Sequence, residues 1–253
     1  MTRWTILFLI STTLFAAPSV HAQDNAIDEQ AAEIAMNSAR FLASQPAFSF
    51  GWFVSYDEVE DDGLKVTRLR SGNTLMARDK GFVAHTERDN TWRDYYWDGS
   101  VFSIVSPNEE FYASVEFTGD FDALVDAVET RTDSVLPMWS MMSKNLPDVV
   151  LNDVVAAAYM GTTLIAGQSA HHLIFVEPEE DWQIWISTDE DAPLPLLLVG
   201  TDKTSPGEPQ YRVYMTDWNL EPDTDPAQFT YEPDENAVKV TFPLSETNSA
   251  EEQ

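Results

Sequence analysis

The stretch AFSFGWFVSY, residues 47–56, decides the fold of this chain. Large apolar side chains recur at every second position from Phe48 to Tyr56, and small or polar residues lie between them, with Phe53 as the exception. Because successive side chains of a strand point to opposite faces of a sheet, this period predicts a β-strand with one strongly apolar face. Such a face has to be buried against another layer of structure.

The segment before this strand changes to a helical period. Residues 24–45 place apolar or small side chains at a spacing of three and four, which predicts an amphipathic helix. Asp24 or Asn25 is suited to cap its start, and Pro46 ends it. The helical positions concerned are Ile27, Ala31, Ile34, Ala35, Ser38, Phe41 and Leu42.

The rest of the chain alternates between short strands and turns, with helices in the middle. Strands are predicted at residues 64–69, 74–78, 82–87, 92–97, 101–105, 111–117, 154–161, 162–166, 171–177, 182–187, 194–202 and 210–218, with an edge segment in 229–242. Helices are predicted after Asp120 and from Pro137. Since strands joined by short turns pair antiparallel, we expect a mostly β, α+β fold in which a strongly curved antiparallel sheet is covered by the helices.

The amino terminus has the three parts of a secretory signal. Arg3 supplies a positive charge, an uncharged apolar run follows, and small residues surround a cleavage site near Ala22. We therefore expect residues 1–22 to be a cleaved signal peptide and the chain to be periplasmic, without a membrane anchor after cleavage. Residues 23–243 are expected to form one domain, and residues 244–253 a disordered acidic tail.

Composition excludes several classes of function. The chain has 14 Lys and Arg against 43 Asp and Glu, a net charge of −29, which argues against binding to nucleic acid or to anionic lipid surfaces. It has no cysteine, so disulfides, thiolate metal sites, a cysteine nucleophile and a cysteine-linked lipid anchor are excluded. It has no phosphate-binding glycine loop, and no cofactor is expected.

The adjacent pair His171 and His172 is the most conspicuous candidate for chemistry. Neighbouring residues of a strand face opposite sides, so both rings cannot easily bind one metal ion. No metal site is predicted, and the acidic clusters are interpreted as turns. A periplasmic hydrolase that uses one of these histidines with an acidic partner remains an alternative.

Several short motifs resemble the predicted periplasmic proteins grouped as domain of unknown function 2092. They are Tyr96-Trp97-Asp98-Gly99, Phe111-Tyr112-Ala113, Tyr159-Met160-Gly161, the run from Gly167 to Leu173, Asp181-Trp182-Gln183-Ile184-Trp185-Ile186 and Pro193-Leu194-Pro195. The segment Arg68-Leu69-Arg70-Ser71-Gly72 departs from the family, which has Arg-Pro-Asp there. The resemblance implies a distant relation to lipoprotein carriers and outer-membrane lipoprotein receptors, hence a half-open antiparallel barrel with a hydrophobic cavity. The resemblance implies no catalytic residues.

These features together favour a non-enzymatic binder or carrier of a hydrophobic ligand, either a lipid or an acylated protein. The apolar strand face and the methionine-rich helix are the expected lining of its cavity: Phe48, Phe50, Trp52, Val54, Tyr56, Met138, Met141 and Met142. Besides the hydrolase, an envelope protein-interaction module without a small ligand is an alternative, and it predicts a filled cavity and an exposed apolar patch. Ligand identity and oligomeric state stay open.

Overall fold

A computed structural model describes residues 26–132 and 138–241. The predicted signal peptide, the predicted acidic tail and Pro137 lie outside these residues. The division of the chain into a signal, one domain and a tail therefore stays a prediction.

Within the described residues, twelve strands form one curved, open sheet, as the sequence predicts in outline. They are β1 (Ala47–Val59), β2 (Lys65–Ala77), β3 (Gly81–Arg88), β4 (Thr91–Trp97), β5 (Val101–Ser106), β6 (Phe111–Glu116), β7 (Ala156–Ile165), β8 (Gln168–Val176), β9 (Glu180–Ser187), β10 (Pro195–Asp202), β11 (Gln210–Asn219) and β12 (Val238–Lys239). Their order across the sheet is β12-β6-β5-β4-β3-β2-β1-β11-β10-β9-β8-β7.

The sheet consists of two antiparallel meanders that meet at its centre. Strands β1 to β6 form one and β7 to β11 the other, and β1 pairs with β11 from Tyr56 opposite Tyr211 to Ser49 opposite Asn219. Val238 and Lys239 of the predicted edge segment form the strand β12, which pairs with β6. This pairing is parallel. The remaining ladders are antiparallel.

Two places where separate strands were predicted are continuous, so those predictions were wrong. The predicted strands 64–69 and 74–78 merge into the single strand β2 (Lys65–Ala77), because Gly72 lies within the ladder, opposite Trp52 on one side and Thr86 on the other. The predicted strands 154–161 and 162–166 merge into β7 (Ala156–Ile165), in which the register shifts between Tyr159 and Thr162. Gly161 adopts φ +96° there, so it accommodates a bulge rather than a turn.

In the part of the chain that the structure describes, four α-helices cover the sheet: α1 (Glu29–Ser44), α2 (Phe121–Thr132), α3 (Trp139–Met142) and α4 (Leu146–Val149). The first begins later than predicted, because Asp28 is its cap; the predicted caps Asp24 and Asn25 lie outside the described residues. Asp28 Oδ1 accepts hydrogen bonds from the backbone N–H groups of Gln30 (2.9 Å) and Ala31 (3.2 Å). Ile27 forms a bridge with Ala157 at the sheet edge instead of a helical turn.

The carboxyl end of α1 is fixed by a side chain from the turn after β2. No basic residue lies in the last turn of α1. Arg78 supplies the positive charge instead: its Nη2 donates to the Leu42 carbonyl (2.9 Å), Nε to the Gln45 carbonyl (2.8 Å) and Nη1 to the Met142 carbonyl (2.7 Å). One guanidinium therefore ties α1 to α3 and compensates the negative end of the helix dipole.

The core lies between the helices and one face of the sheet. The predicted alternation in β1 is confirmed for four residues: Phe48, Phe50, Trp52 and Val54 are buried, whereas Phe53 on the other face is exposed. In the first meander, Phe82 makes edge-to-face contacts with Phe121 of α2 and Trp139 of α3. Across residues 26–132 and 138–241, no helix combines the length and the apolar character needed to cross a membrane.

Candidate functional site

A cavity of about 230 Å³ lies beneath α1, between that helix, α3, α4 and the strands β9 to β11. Its lining is mostly apolar and includes two carboxylates. The lining residues are Ala35, Ser38, Ala39, Leu42, Ser140, Met141, Leu146, Val150, Glu177, Glu180, Trp182, Ile184, Ile186, Pro195, Leu198 and Tyr211. The cavity is partly open to solvent.

The apolar part of the cavity results from small residues on the helix facing branched residues on the sheet. Ala35 and Ala39 lie one turn apart on the buried face of α1 and leave space beneath it. Ile184 and Ile186 share one face of β9, since alternate strand residues point the same way, and Leu198 of β10 pairs with Ile184. Ser38, between the two alanines, donates to the Pro193 carbonyl (2.6 Å), so its hydroxyl is already satisfied.

Polar groups contribute to the cavity from the turn between β8 and β9 and from neighbouring strands. Trp182 stacks on Phe175, with ring centroids 4.0 Å apart and an interplanar angle of 17°. Its indole Nε1 donates to Glu177 Oε1 (2.6 Å), and this bond orients the Glu177 carboxylate. Glu177, Glu180 and Tyr211 all belong to the lining.

Glu180 is the most unusual of these groups. Its Oε1 is buried and has no hydrogen-bond partner among the described residues. Burial raises the pKa of the Glu180 carboxyl; Tyr211 lowers it by a hydrogen bond, and the negative charges of Glu177 and Asp202 raise it further. Burial, followed by the charge of Glu180, likewise raises the pKa of the Tyr211 hydroxyl.

Gly200 makes room for this carboxyl. A Cβ at Gly200 would lie 2.2 Å from Glu180 Oε1 and 2.3 Å from Cε1 of Tyr211. The position therefore requires glycine because a carboxyl and an aromatic ring approach the backbone closely, and not because of an unusual φ.

One of the residues predicted to line a cavity lies at this one, and all of them belong to or pack against the main hydrophobic cluster, which also includes Ala35, Ile184 and Ile186 of the lining. Met141 lines the cavity. The others lie in or against the main hydrophobic cluster: Phe48, Phe50, Trp52, Val54, Met138 and Met142 are buried, and Tyr56 is partly buried. The Trp52 indole donates to Thr74 Oγ1 (3.2 Å), a bond within the core. Ligand contact by these residues stays a prediction.

The charged residues of the cavity were not predicted as site residues. Glu177 and Glu180 belong to an acidic stretch that the sequence analysis interpreted as a turn, and 43 acidic residues offer no way to choose among them. Trp182 is the feature of the sequence that could have identified them. It lies between the acidic turn and an apolar strand, and this position predicts an aromatic ring with one polar hydrogen-bond partner.

The two adjacent histidines point away from each other, as predicted from their alternation. His171 Nδ1 lies 3.1 Å from the Tyr159 hydroxyl, and His172 Nε2 lies 2.9 Å from Gln183 Oε1. The His172 ring stacks on Trp185 at a centroid distance of 4.1 Å. In residues 26–132 and 138–241, neither imidazole has a hydrogen bond to a carboxylate or to a serine hydroxyl.

His85 makes the carboxylate contacts that His171 and His172 lack. Its Nδ1 bonds to Asp94 Oδ1, and its Nε2 lies 3.9 Å from Glu87 Oε1. Asp94 also lines a second, more polar cavity of about 530 Å³ beside residues 231–237, to which Glu110 contributes another carboxylate. Within the described part of the chain, no group of three or more His, Asp or Glu side chains is arranged to hold a metal ion.

Comparison with known proteins gives one family and a set of distant structures. The family described as "Predicted periplasmic protein (DUF2092)" matches residues 31–243. No curated protein matches the chain.

Three of the similar solved structures show how distant these likenesses are. An uncharacterized conserved protein from Thermus thermophilus is 10% identical, with a TM-score of 0.48 over 85% of this chain and 100% of that one. LprF from Mycobacterium bovis is 12% identical, with a TM-score of 0.48 over 78% and 96%. A LolA superfamily protein from Nitrosomonas europaea is 8% identical, with a TM-score of 0.36 over 79% and 97%.

Proposed function

This chain is a periplasmic member of the DUF2092 family, and we propose that it binds a hydrophobic ligand in the cavity beneath α1. The ligand is an acyl or alkyl chain, from a lipid or from a lipidated protein. The function is binding or carriage rather than catalysis. The observation that carries the proposal is the apolar lining between Ala35 and Ala39 of the helix and Ile184, Ile186 and Leu198 of the sheet.

The size of the cavity suits a slender ligand. Pockets for drug-sized molecules usually measure about 300–1,000 Å³, and the cavity here is about 230 Å³. An engineered apolar cavity of about 150 Å³ is already large enough to bind benzene. A single unbranched chain therefore fits the space better than a bulky ring system.

Binding in such a site is driven by removal of the chain from water. Each buried methylene contributes about 0.8 kcal/mol, which corresponds to an affinity gain of about fourfold. Met141 lies at the α3 side of the cavity, and its flexible thioether can adapt to chains of different shape.

The alternatives have weaker support. A hydrolase needs a histidine beside a carboxylate or serine in an open cleft, whereas His171 and His172 have tyrosine and glutamine partners. A protein-interaction module could use the edge strand β7, where Met160 and Leu164 are exposed. It also predicts a filled cavity, which the space beneath α1 does not favour.

A series of neutral n-alkanols tests the proposal. We expect the affinity of the protein to rise about fourfold per methylene until the chain fills the cavity, and then to level off. In the variant Ala39→Phe the new ring occupies the space beneath α1, so the longer alkanols should lose most of their affinity. Isothermal titration calorimetry measures both effects.

The matched control is Asn37→Phe, which adds the same ring on the exposed side of the same helix. This variant should bind the alkanols as the wild type does. Because an added ring can destabilise the core, thermal unfolding is recorded for both variants, and Leu198→Trp fills the cavity from the sheet side. If alkanol affinity does not depend on chain length, or if neither filling variant reduces it, the proposed function is wrong.

A further inference from the structure

We infer that the ligand of this cavity carries a cationic hydrogen-bond donor, such as a protonated primary amine, which pairs with Glu180 while its apolar chain lies under α1. This inference rests on the proposed function and adds the chemical class of the ligand's head group. It predicts that fatty acids and other anionic amphiphiles bind weakly to this site.

The charges in the lining all have the same sign. Glu177 and Glu180 are the two charged residues among the lining residues, and both are acidic. An anionic head group would face two carboxylates inside a partly apolar space, where repulsion is stronger than in bulk water. The net charge of −29 over the whole chain also attracts cations at long range.

Glu180 has unused hydrogen-bonding capacity at one of its carboxylate oxygens. Its Oε1 is buried without a partner in the described part of the chain, although buried polar atoms in proteins are nearly always paired. The carboxyl also has its pKa raised by burial and by neighbouring negative charge. A bound ammonium group would supply both the missing hydrogen bond and the compensating charge.

Nearby N–H donors are engaged elsewhere, and the Tyr211 hydroxyl, which hydrogen-bonds the Glu180 carboxyl, leaves its Oε1 without a partner. Trp182 gives its indole N–H to Glu177. Lys203, which directly follows β10, donates from Nζ to Asp181 Oδ1 (2.7 Å) and to the Glu177 backbone carbonyl. Lys203 is also absent from the lining, so no Lys or Arg side chain among the lining residues compensates the charge of Glu180.

Three ligands with the same chain and different heads test the inference: decylamine, decanol and decanoate, at about pH 7.5, where the amine is protonated and the acid ionised. Calorimetry is done on the wild type, on Glu180→Gln and on the control Glu179→Gln. Glu179 is exposed and outside the lining, so its variant removes one negative charge from the same turn without changing the cavity. The titrations are repeated at about 1 M salt, where the Debye length is about 3 Å and long-range attraction is screened.

The wild type should bind decylamine about tenfold or more tightly than decanol, since a hydrogen bond to a charged group contributes that much to an affinity. Decanoate should bind most weakly. The preference for the amine should persist at high salt, disappear in Glu180→Gln and remain in Glu179→Gln.

Two results would overturn the inference while the proposed function stands: decanol or decanoate binding as tightly as decylamine in the wild type, or an amine preference that survives in Glu180→Gln. Failure of all three ligands to bind would overturn the proposed function as well. The comparison within the wild type is decisive even if Glu180→Gln folds poorly.

Discussion

Arg78 should be among the most important side chains for the stability of the helical cover. In Arg78→Met, three hydrogen bonds to backbone carbonyls are lost, while an apolar side chain can still contact the Phe48 ring, whose centroid lies 5.6 Å from Cζ of Arg78. Hydrogen bonds from a charged donor contribute about 1.5–3 kcal/mol each. Since this site is only partly buried, water replaces part of the loss, and we expect a cost of about 3 kcal/mol.

For a protein of this size, 1 kcal/mol corresponds to about 2–4 °C in melting temperature, so Arg78→Met should melt about 6–12 °C lower. Differential scanning calorimetry measures the shift, and urea unfolding checks it independently. The control is Arg40→Met on the exposed face of α1, which should change stability by less than about 0.5 kcal/mol. If the two variants melt within about 2 °C of each other, the role given to Arg78 in joining α1 to α3 is wrong.

Two further predictions concern the cavity and the sheet. Because the pKa of Glu180 is raised above its ordinary value of 4.5, the folded state holds that proton more tightly than the unfolded state, and the resulting stabilisation is lost as the pH rises through the folded pKa. The stability of Glu180→Gln relative to wild type should therefore increase from about pH 4 to about pH 7 in urea titrations, and a constant or falling difference would contradict this. In Gly72→Ala, the new Cβ would lie 2.1 Å from the His85 carbonyl oxygen and 2.4 Å from the Trp52 ring, so we expect a loss of about 1–3 kcal/mol in urea unfolding followed by tryptophan fluorescence. A Gly72→Ala variant as stable as the wild type would show that the two strands separate without cost.

Local patterns predicted most of the elements, because the forces that define them act within a few residues. The alternation in β1 and the helical spacing in α1 both depend on which side chains share a face, and most of each predicted face is buried: Ala31, Ala35, Ser38 and Leu42 in α1, and Phe48, Phe50, Trp52 and Val54 in β1. Proline and glycine were less reliable indicators of where a helix or strand ends. Pro46 ends α1 as predicted, but Gly72 lies inside a strand, because a glycine required by a close cross-strand contact looks the same in sequence as one required by a turn.

Features that depend on distant contacts could not be predicted from one sequence. Asp28 and the upstream Asp24 and Asn25 are all good capping residues, and the position of the cap reflects contacts with β7, where Asp28 Oδ2 accepts from the Tyr159 N–H (3.4 Å). The cavity has the same origin. The small residues of α1 were apparent, but nothing local shows that they face β9 and β10 rather than β1. The predicted lining therefore includes Met141 but none of the residues of β9 to β11 that line this cavity.

The seam between β1 and β11 has a consequence for how the chain acquires its fold. Each meander can form from hairpins between successive strands, but the seam joins residues about 160 positions apart, from Val54 to Val213 for example. Long-range pairing of this kind slows folding, because the entropy of closing the loop is lost before the contacts form. Until β11 arrives, β1 has an open edge and an uncovered face of phenylalanine and tryptophan, which makes a half-folded chain prone to self-association. Correct folding thus depends on how quickly the last long strand reaches the first.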